Sequence, residues 1–237
     1  MIPNILNQAW GLSGDKLRQM VSLSRSMDLS AAAQQDTGPA FSFDQVSGVA
    51  VIPVQGILTK DRSVFSSIFG GSSMREVGQA VNAAAEDSSI KGIVLAIDSA
   101  GGTIDGTHEL AMQVKQARGR KPVIALADGT LLSAAYWIGS AADAVYISGP
   151  TVEVGGIGVV ATHIDFSGRD KMAGEQYTEI TAGKFKRISS AHRPLSDEGR
   201  ASIQERVDGI YKVMIESIAD LRGVSIPGLI QSQIAPP

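Results

Sequence analysis

The sequence predicts an α/β fold, and two features of the chain support this prediction. Short apolar runs typical of buried strands alternate along most of the chain with amphipathic stretches typical of helices. The run IKGIVLAID at residues 90–98 is apolar almost throughout, as in a strand that a parallel sheet buries on both faces. Because strands that alternate with helices form βαβ units, we expect a mainly parallel sheet covered by helices.

The predicted elements follow one another from residue 48 onwards. Strands are predicted at residues 48–58, 90–98, 122–128, 144–148, 156–166 and 176–181. Helices are predicted at residues 73–87 and 104–118, from about Ser133, and after Ser196, whose hydroxyl is a suitable N-cap. A turn is predicted at residues 99–102, and Pro53 in the first strand indicates a bulge or an edge position.

Composition divides the chain into an arm, a linker, a main domain and a tail. Residues 1–34 carry apolar side chains at helical spacing, so a helical N-terminal arm is predicted there. Residues 35–46 are polar and rich in turn-forming residues, which is typical of a linker. The main domain is predicted at residues 47–223, and residues 224–237 are left as a C-terminal tail.

Charge and residue usage argue against several classes of function. The formal net charge is -3, and no dense Lys/Arg stripe is present, so we expect no nucleic-acid partner. The chain has no cysteine, and its three histidines are scattered without the i,i+4 spacing of a helical zinc site. We therefore expect no metal site and no cofactor.

Hydropathy argues against a membrane protein. No run approaches ~18 consecutive apolar residues, the length that a membrane span needs. Asn4, Asn7 and Gln8 interrupt the N-terminal segment where a signal peptide would have its apolar core. The expected location is the cytoplasm, with no membrane contact.

A glycine pair follows the predicted strand at 90–98. In the segment IDSAGG, Gly101 and Gly102 stand at the carboxyl end of a buried strand, just before a helix. Backbone N–H groups at such a place can point into a cleft and stabilise a developing oxyanion. The alternative is a tight turn that needs glycine only for its backbone angles.

A serine stands at the start of a helix rich in small residues. Ser133 follows a loop after the strand predicted at 122–128, where the amino end of a helix helps to hold negative charge. These features suit a nucleophile. The alternative is that Ser133 is a simple helix N-cap.

A basic, turn-prone segment lies at residues 182–196. It carries Lys184, Lys186 and Arg187, and a run of this kind is commonly a solvated surface loop. The functional interpretation is that one lysine enters a cleft and acts as a general base. To do so it must be neutral, which requires desolvation or nearby positive charge.

Taken in order, these segments resemble the signal peptide peptidase A family of Ser/Lys peptidases, which share a crotonase-like fold with Clp protease. The motifs that carry the resemblance are DSAGG at 98–102, SAAYW at 133–137, VGGIGV at 154–159, GKFK at 183–186 and RPLSDE at 193–198. The resemblance covers roughly residues 48–220 and implies a serine endopeptidase with a crotonase/Clp-like fold of repeated ββα/βαβ units.

The resemblance also implies the site residues. Ser133 matches the nucleophile and Lys186 the general base. The oxyanion donors are the backbone N–H of Ala134 and that of Gly102 or Gly101. The resemblance disfavours a Ser-His-Asp site, since Gly158 stands where Clp protease has its base histidine.

The chain departs from the family pattern at three places. Ala100 replaces a proline in the turn motif, and Ala134 and Ala135 replace the glycine pair that follows the serine. Gly156 stands where the family has a serine that hydrogen-bonds the catalytic lysine. Another hydroxyl, such as that of Thr162 or Thr181, or a water would then have to orient Lys186.

Within the family, a soluble arm and linker without a membrane anchor look like the head maturation proteases of tailed bacteriophages. The expected substrates are then scaffold or capsid proteins, and the expected location is the host cytoplasm or the procapsid interior. The family also implies a homo-oligomer, in which neighbouring protomers can supply the serine and the lysine of one site. Three alternatives stay open: a soluble cellular signal-peptide-peptidase-like protease, a crotonase-fold enzyme acting on acyl-CoA, and a non-catalytic structural homologue.

Overall fold

The computed structural model describes residues 10–12, 44–62 and 70–232. Within these ranges the strands form one eight-stranded sheet. Its strands are β1 (Trp10–Leu12), β2 (Asp44–Val46), β3 (Val49–Thr59), β4 (Gly71–Ser73), β5 (Gly92–Thr103), β6 (Val123–Leu132), β7 (Ala144–Ile147) and β8 (Glu153–Gly155). The helices in these ranges are α1 (Met74–Glu86), α2 (Thr107–Arg118), α3 (Ala134–Gly139), α4 (Ser167–Met172), α5 (Asp197–Arg222) and α6 (Ile226–Ser232).

The sheet is mainly parallel, with the strand order β2-β3-β5-β6-β7. The pairs β3–β5, β5–β6 and β6–β7 are parallel, whereas the short β2 pairs antiparallel with β3. Two short strands extend the sheet at the carboxyl ends, since β4 pairs with β3 and β8 pairs with β6. Strands that alternate with helices in one parallel sheet confirm the predicted α/β class.

The core lies where the central strand meets the helices. Ile93, Leu95 and Ile97 of β5 are completely or almost completely buried, as expected for a central parallel strand. Helices α1, α2 and α3 add small and branched side chains to this core, and α3 adds the indole of Trp137. No helix within the described ranges is long and apolar enough to span a membrane.

The helix cap predicted at Ser196 is present, and a second serine caps α1. Ser73 caps α1 by accepting a hydrogen bond from Glu76 N, and Ser196 caps α5 by accepting one from Gly199 N at 3.1 Å. Pro53 lies in a stretch of β3 that pairs with β5 on one side and with no described strand on the other. The prediction of an edge position for this proline is therefore confirmed.

The turn predicted at residues 99–102 is wrong, because β5 continues as a strand to Thr103. The register with β3 shifts between Gln55 and Ile57, and the pairing then resumes with Gly101 opposite Ile57. A bulge of this kind lets the strand bend without leaving the sheet. The helix predicted at 104–118 accordingly begins later, at Thr107.

The strands predicted at residues 156–166 and 176–181 are also wrong. Neither range contains a strand; β8 ends at Gly155, and only an isolated bridge residue is present, at position 160. The apolar pattern is present, but the edge of β6 that does not face β5 is already occupied. Strand β6 already pairs with β7 through residues 124–127 and with β8 through residues 130–132.

The predicted arm, linker and tail need partial correction. Trp10–Leu12 form a strand rather than a helix, because they find a pairing edge on β5. The rest of the arm and most of the linker lie outside the described residues, and the linker's last residues, Asp44–Val46, belong to the sheet. In the tail, α6 buries Leu229 against the core.

Candidate active site

Ser133 occupies the sharp turn between β6 and α3. Its backbone angles are φ 53° and ψ -118°. This is the conformation of the first central residue of a type II′ turn, a position that glycine strongly favours. A non-glycine residue held there costs of order 1–3 kcal/mol, and such strain clusters at functional sites.

The contacts of Ser133 argue against its being a simple N-cap. Its side chain makes no capping bond to α3, and its hydroxyl instead lies 3.2 Å from Gly158 O. Its N–H donates to Gly155 O at 2.7 Å, which attaches the turn to the end of β8. The residue is only 4% exposed, so the hydroxyl is held in one place rather than solvated.

A buried N–H group stands next to this hydroxyl in the chain. Ala134 is the first residue of α3 and is fully buried. The first N–H groups of a helix have no partner within the helix. Among the described residues no acceptor lies within hydrogen-bonding distance of Ala134 N. Buried N–H groups without an acceptor are rare, and this one is available to a ligand.

The glycine pair lies on the neighbouring strand, and the two N–H groups differ. Gly101 N donates to Ser99 Oγ at 3.1 Å, and the same hydroxyl donates to Gly56 O at 2.6 Å. Gly102 packs closely against β3, since a Cβ atom at this position would lie 1.9 Å from Leu58 O. Gly101 N–H is thus already engaged, and glycine at 102 is needed for the close approach of two strands.

The loop before the serine is held by Asp98. Asp98 Oδ1 accepts hydrogen bonds from Thr130 N at 2.9 Å and Thr130 Oγ1 at 2.7 Å. Gly129 lies beside this carboxylate with φ 129°, and a Cβ there would come within 2.5 Å of Asp98 Oδ1. The carboxylate therefore ties the end of β5 to the end of β6.

The register of the sheet places the serine and the glycine pair at the same edge. Ser99 of β5 lies opposite Leu131 of β6, and both strands end within four residues of that pair. The carboxyl ends of parallel strands are where α/β folds form their binding crevices. Ser133 and Ala134 directly follow the end of β6, and Gly102 lies one residue before the end of β5, so these residues belong to the same edge of the sheet.

Lys186 lies in a different environment from Ser133. Its side chain is exposed, it sits in a turn with its N–H bonded to Gly183 O, and the described residues offer no partner for its Nζ. It borders a cavity of about 510 Å³ that is also lined by His163, His192 and Arg206. Ser133 is not among the residues that line this cavity.

A buried ion pair anchors the segment that carries Lys186. Asp170 is 3% exposed, and its Oδ2 lies 2.7 Å from His192 Nδ1, while the ring of Tyr177 stacks on His192. The hydrogen bond from His192 lowers the pKa of the Asp170 carboxyl below its ordinary value, against the opposing effect of burial, and Arg169 adds to the lowering. This cluster fixes the base of the loop, while its tip stays in solvent.

The structure also places the other polar residues discussed from sequence. His163 Nε2 bonds Ser190 O at 2.9 Å and has no contact with Ser133. Thr162 and Thr181 are exposed. Gly156 has φ 59°, and a Cβ there would lie 3.6 Å from Ser133 N, so a side chain at 156 would stand directly beside the nucleophile. Among the described residues no group of His, Asp or Glu is arranged to hold a metal ion.

Sequence reasoning missed three features of this crevice. Asp98 and Ser99 were read only as part of a glycine motif, yet their side chains organise both strand ends. The strand Trp10–Leu12 was not predicted, because three residues are too short to show strand periodicity and the apolar spacing around them favours a helix. Asp98 and Ser99 form a polar pair between a buried strand and a glycine pair, and this pattern could have indicated their role.

Comparison with known proteins agrees with the family resemblance. Residues 115–232, which include Ser133 and Lys186, match the family model of Peptidase family S49. Among solved structures, an enoyl-CoA hydratase/isomerase family protein from Silicibacter pomeroyi matches with a TM-score of 0.36 at 12% identity, covering 83% of this chain and 99% of that one. The α/β class itself rests on the sheet described above.

Two similar proteins come from bacteriophages. The chain is 30% identical over 197 residues to the head-tail preconnector protein GP5 of Enterobacteria phage P21, covering 83% of this chain and 39% of that protein. It is 27% identical over 226 residues to the capsid assembly protease C of Escherichia phage lambda, covering 94% and 50%. The chain thus spans half or less of the length of these relatives. The chain belongs to peptidase family S49.

Proposed function

We propose that this chain is a serine endopeptidase in which Ser133 is the nucleophile and Lys186 the general base. The observation that carries the proposal is the strained turn at Ser133, with a hydroxyl that does not cap its helix. Strain at a buried residue persists only where the surrounding structure holds it in place, and a nucleophile gains from being held. Membership of a peptidase family supports the same reading.

The proposed reaction is acyl transfer through a covalent intermediate. Ser133 Oγ attacks the carbonyl carbon of the scissile bond, and Lys186 takes the hydroxyl proton. The carbonyl oxygen becomes an oxyanion, for which the N–H groups of Ala134 and Gly102 are the proposed donors. Lys186 then returns the proton to the leaving amine, and water hydrolyses the acyl-enzyme. Gly101 is the less suitable donor, because its N–H is bonded to Ser99 Oγ.

The exposed position of Lys186 supports a site that two copies of the chain share. A lysine side chain becomes neutral only through desolvation or nearby positive charge. A second copy of the chain packed over the loop would supply the desolvation. The same segment exposes apolar side chains that a partner would cover: Met172 is 85% exposed, Ile180 95% and Phe185 62%. Large exposed apolar groups in one region are typical of a protein–protein interface.

The proposed substrates are proteins of a phage head. The relatives that cover most of this chain are named as a head-tail preconnector protein and a capsid assembly protease. Such substrates are cut within extended segments, which suits a crevice at strand ends. No cofactor takes part in this mechanism.

The first test is covalent labelling with a fluorophosphonate. We expect the wild type to be labelled on Ser133, and Ser133→Ala not to be labelled, while the exposed serine variant Ser148→Ala serves as the matched control and is labelled like the wild type. A gel time course with a capsid scaffold protein should show cleavage by the same two labelled proteins only. A folded wild type that neither labels nor cleaves would support a structural role without catalysis.

The second test asks whether the dyad is shared between copies. Ser133→Ala and Lys186→Ala are each expected to be inactive, and mixing them should restore part of the wild-type cleavage. Lys184→Ala is the control, because Lys184 is an exposed neighbour whose Nζ pairs with Glu198 at 3.2 Å. No recovery at high protein concentration would contradict a shared site.

A further inference from the structure

A short strand of the N-terminal arm lies against the carboxyl end of β5. Residues Trp10–Leu12 pair antiparallel with residues 101–103, with Gly11 opposite Gly102. This is the stretch of β5 that carries the proposed oxyanion donor. Its pairing partner is therefore at the crevice and not on a remote face of the sheet.

The topology determines on which side of β5 this strand lies. A strand has two edges, and at Gly102 one of them is taken by β3 through Leu58. The other edge is the one that pairs with β6 as far as Ser99 opposite Leu131. Beyond that pair β6 leaves β5 and turns at Ser133. Strand β1 therefore lies along the edge of β5 that β6 leaves after that pair.

An edge of this kind is a binding site for extended peptides. Its free N–H and C=O groups form a ladder with any added strand, whatever the side chains of that strand. A peptide bound here would run antiparallel to β5 and pass beside Ser133. In the structure the chain's own residues 10–12 take that place.

We infer that residues 10–12 are an internal occupant of the peptide-binding edge of β5 and hold the crevice closed to other peptides until they leave. The inference rests on the proposed function, since it assigns the edge beside Ser133 to substrate. The occupant belongs to the same chain, so it competes with a substrate for the edge as an intramolecular ligand. Because only three residues pair, a longer substrate strand can displace them.

The inference predicts how binding and turnover change when the pairing is removed. Without a competing strand, a substrate peptide binds more tightly, so KM falls while kcat is unchanged. The chemical groups at Ser133 are not altered by such a change. If the arm had only a structural role, removal of this pairing would instead lower kcat or the stability of the protein.

The test uses proline in the full chain, because proline has no N–H and cannot complete a ladder. Gly11→Pro and the double variant Trp10→Pro with Leu12→Pro together cover both alternating sets of backbone groups. Ala32→Pro places the same change elsewhere in the arm and is the matched control. Amide hydrogen exchange at residues 101–103 should be faster in the two pairing variants and unchanged in the control.

A peptidyl boronate and a small fluorophosphonate separate the possible results. The boronate, which must lie along the edge, should bind the pairing variants at least about threefold more tightly than wild type, given competition from a tethered strand. The fluorophosphonate should label Ser133 in all of these proteins. Equal boronate affinity in all variants would overturn the inference and leave the proposed function standing.

Two further results of these labelling and binding experiments would lead to different conclusions. If no variant is labelled by the fluorophosphonate, the proposed function fails, and exchange at residues 101–103 still decides whether the arm pairs. If the gain in boronate affinity appears only at high protein concentration, the strand comes from a second copy, which would overturn the assignment to the same chain.

Discussion

The two residues of the proposed dyad lie in regions that are built in different ways. Ser133 is buried in a strained turn between a central strand and a core helix. Lys186 lies in an exposed turn, within a segment that has no strand partners and that exposes several large apolar side chains. The single chain thus holds Ser133 in a fixed position and leaves Lys186 exposed.

The difference follows from what surrounds each region. The serine turn is held on one side by β5 and on the other by the end of β8, through Ser133 N bonded to Gly155 O. The lysine loop is held at its base by the Asp170–His192 pair and otherwise by contacts of exposed side chains, such as Lys184 with Glu198. A region fixed by many buried contacts opens together with the whole fold, whereas an exposed loop opens locally. The comparison predicts that substitutions in the two regions will differ in the size of their effects.

The largest effect is expected for Gly102→Ala on the serine side. A Cβ at this position would lie 1.9 Å from Leu58 O, and two strands of the sheet would have to separate to admit it. We expect a loss of about 3 kcal/mol or more in the free energy of unfolding, measured by urea denaturation.

The matched control is Gly209→Ala in α5, where a Cβ meets no atom within 4 Å. It should stabilise the protein by about 0.5–1 kcal/mol, because alanine favours a helix over glycine. Similar effects of the two substitutions would show that the strand ends are not tightly packed.

A medium effect is expected from releasing the strain at Ser133. Glycine tolerates φ 53° without penalty, whereas alanine keeps the strain. Ser133→Gly should therefore be more stable than Ser133→Ala by about 1–2 kcal/mol, as judged from thermal or urea unfolding. Since neither variant has a nucleophile, this difference reports the backbone alone. Equal stabilities would mean that the turn relaxes once the serine is gone, and that it is not pre-organised.

The smallest effect on global stability is expected for Asp170→Asn on the lysine side. The pKa of Asp170 is lowered in the folded protein, so its stabilising contribution is present above the unfolded pKa and is lost as the pH falls through the folded pKa. At pH 7 the midpoint of thermal unfolding should be lower for Asp170→Asn than for wild type. The difference between the two midpoints should become smaller at pH values below the ordinary aspartate pKa.

Asp208→Asn is the control for this prediction. Asp208 is exposed and accepts a hydrogen bond from Gln204 on the surface of α5, away from the cluster. It should leave the midpoint unchanged at both pH values. If the difference in unfolding midpoint between wild type and Asp170→Asn widened on acidification, this would contradict a lowered pKa of Asp170.

Much of the fold could be read from sequence where local patterns and burial agree. The apolar run at 90–98, the serine cap at Ser196 and the edge position of Pro53 all depend on chemistry within a few residues. The false strands at 156–166 and 176–181 show the limit of this reasoning. Apolar periodicity indicates a surface that needs covering, but not whether the cover is a neighbouring strand or another copy of the chain.

The candidate site divides in the same way. The sequence by itself determined the α/β class, the order of the motifs and the position of Ser133 after a buried strand, since each of these depends on residue type and local spacing. Only the tertiary structure decided the strain at Ser133, the burial of Ala134, the engagement of Gly101 by Ser99, and the pairing of Trp10–Leu12 with the end of β5. These features arise from contacts between segments far apart in the chain, and no local pattern of residues encodes such contacts.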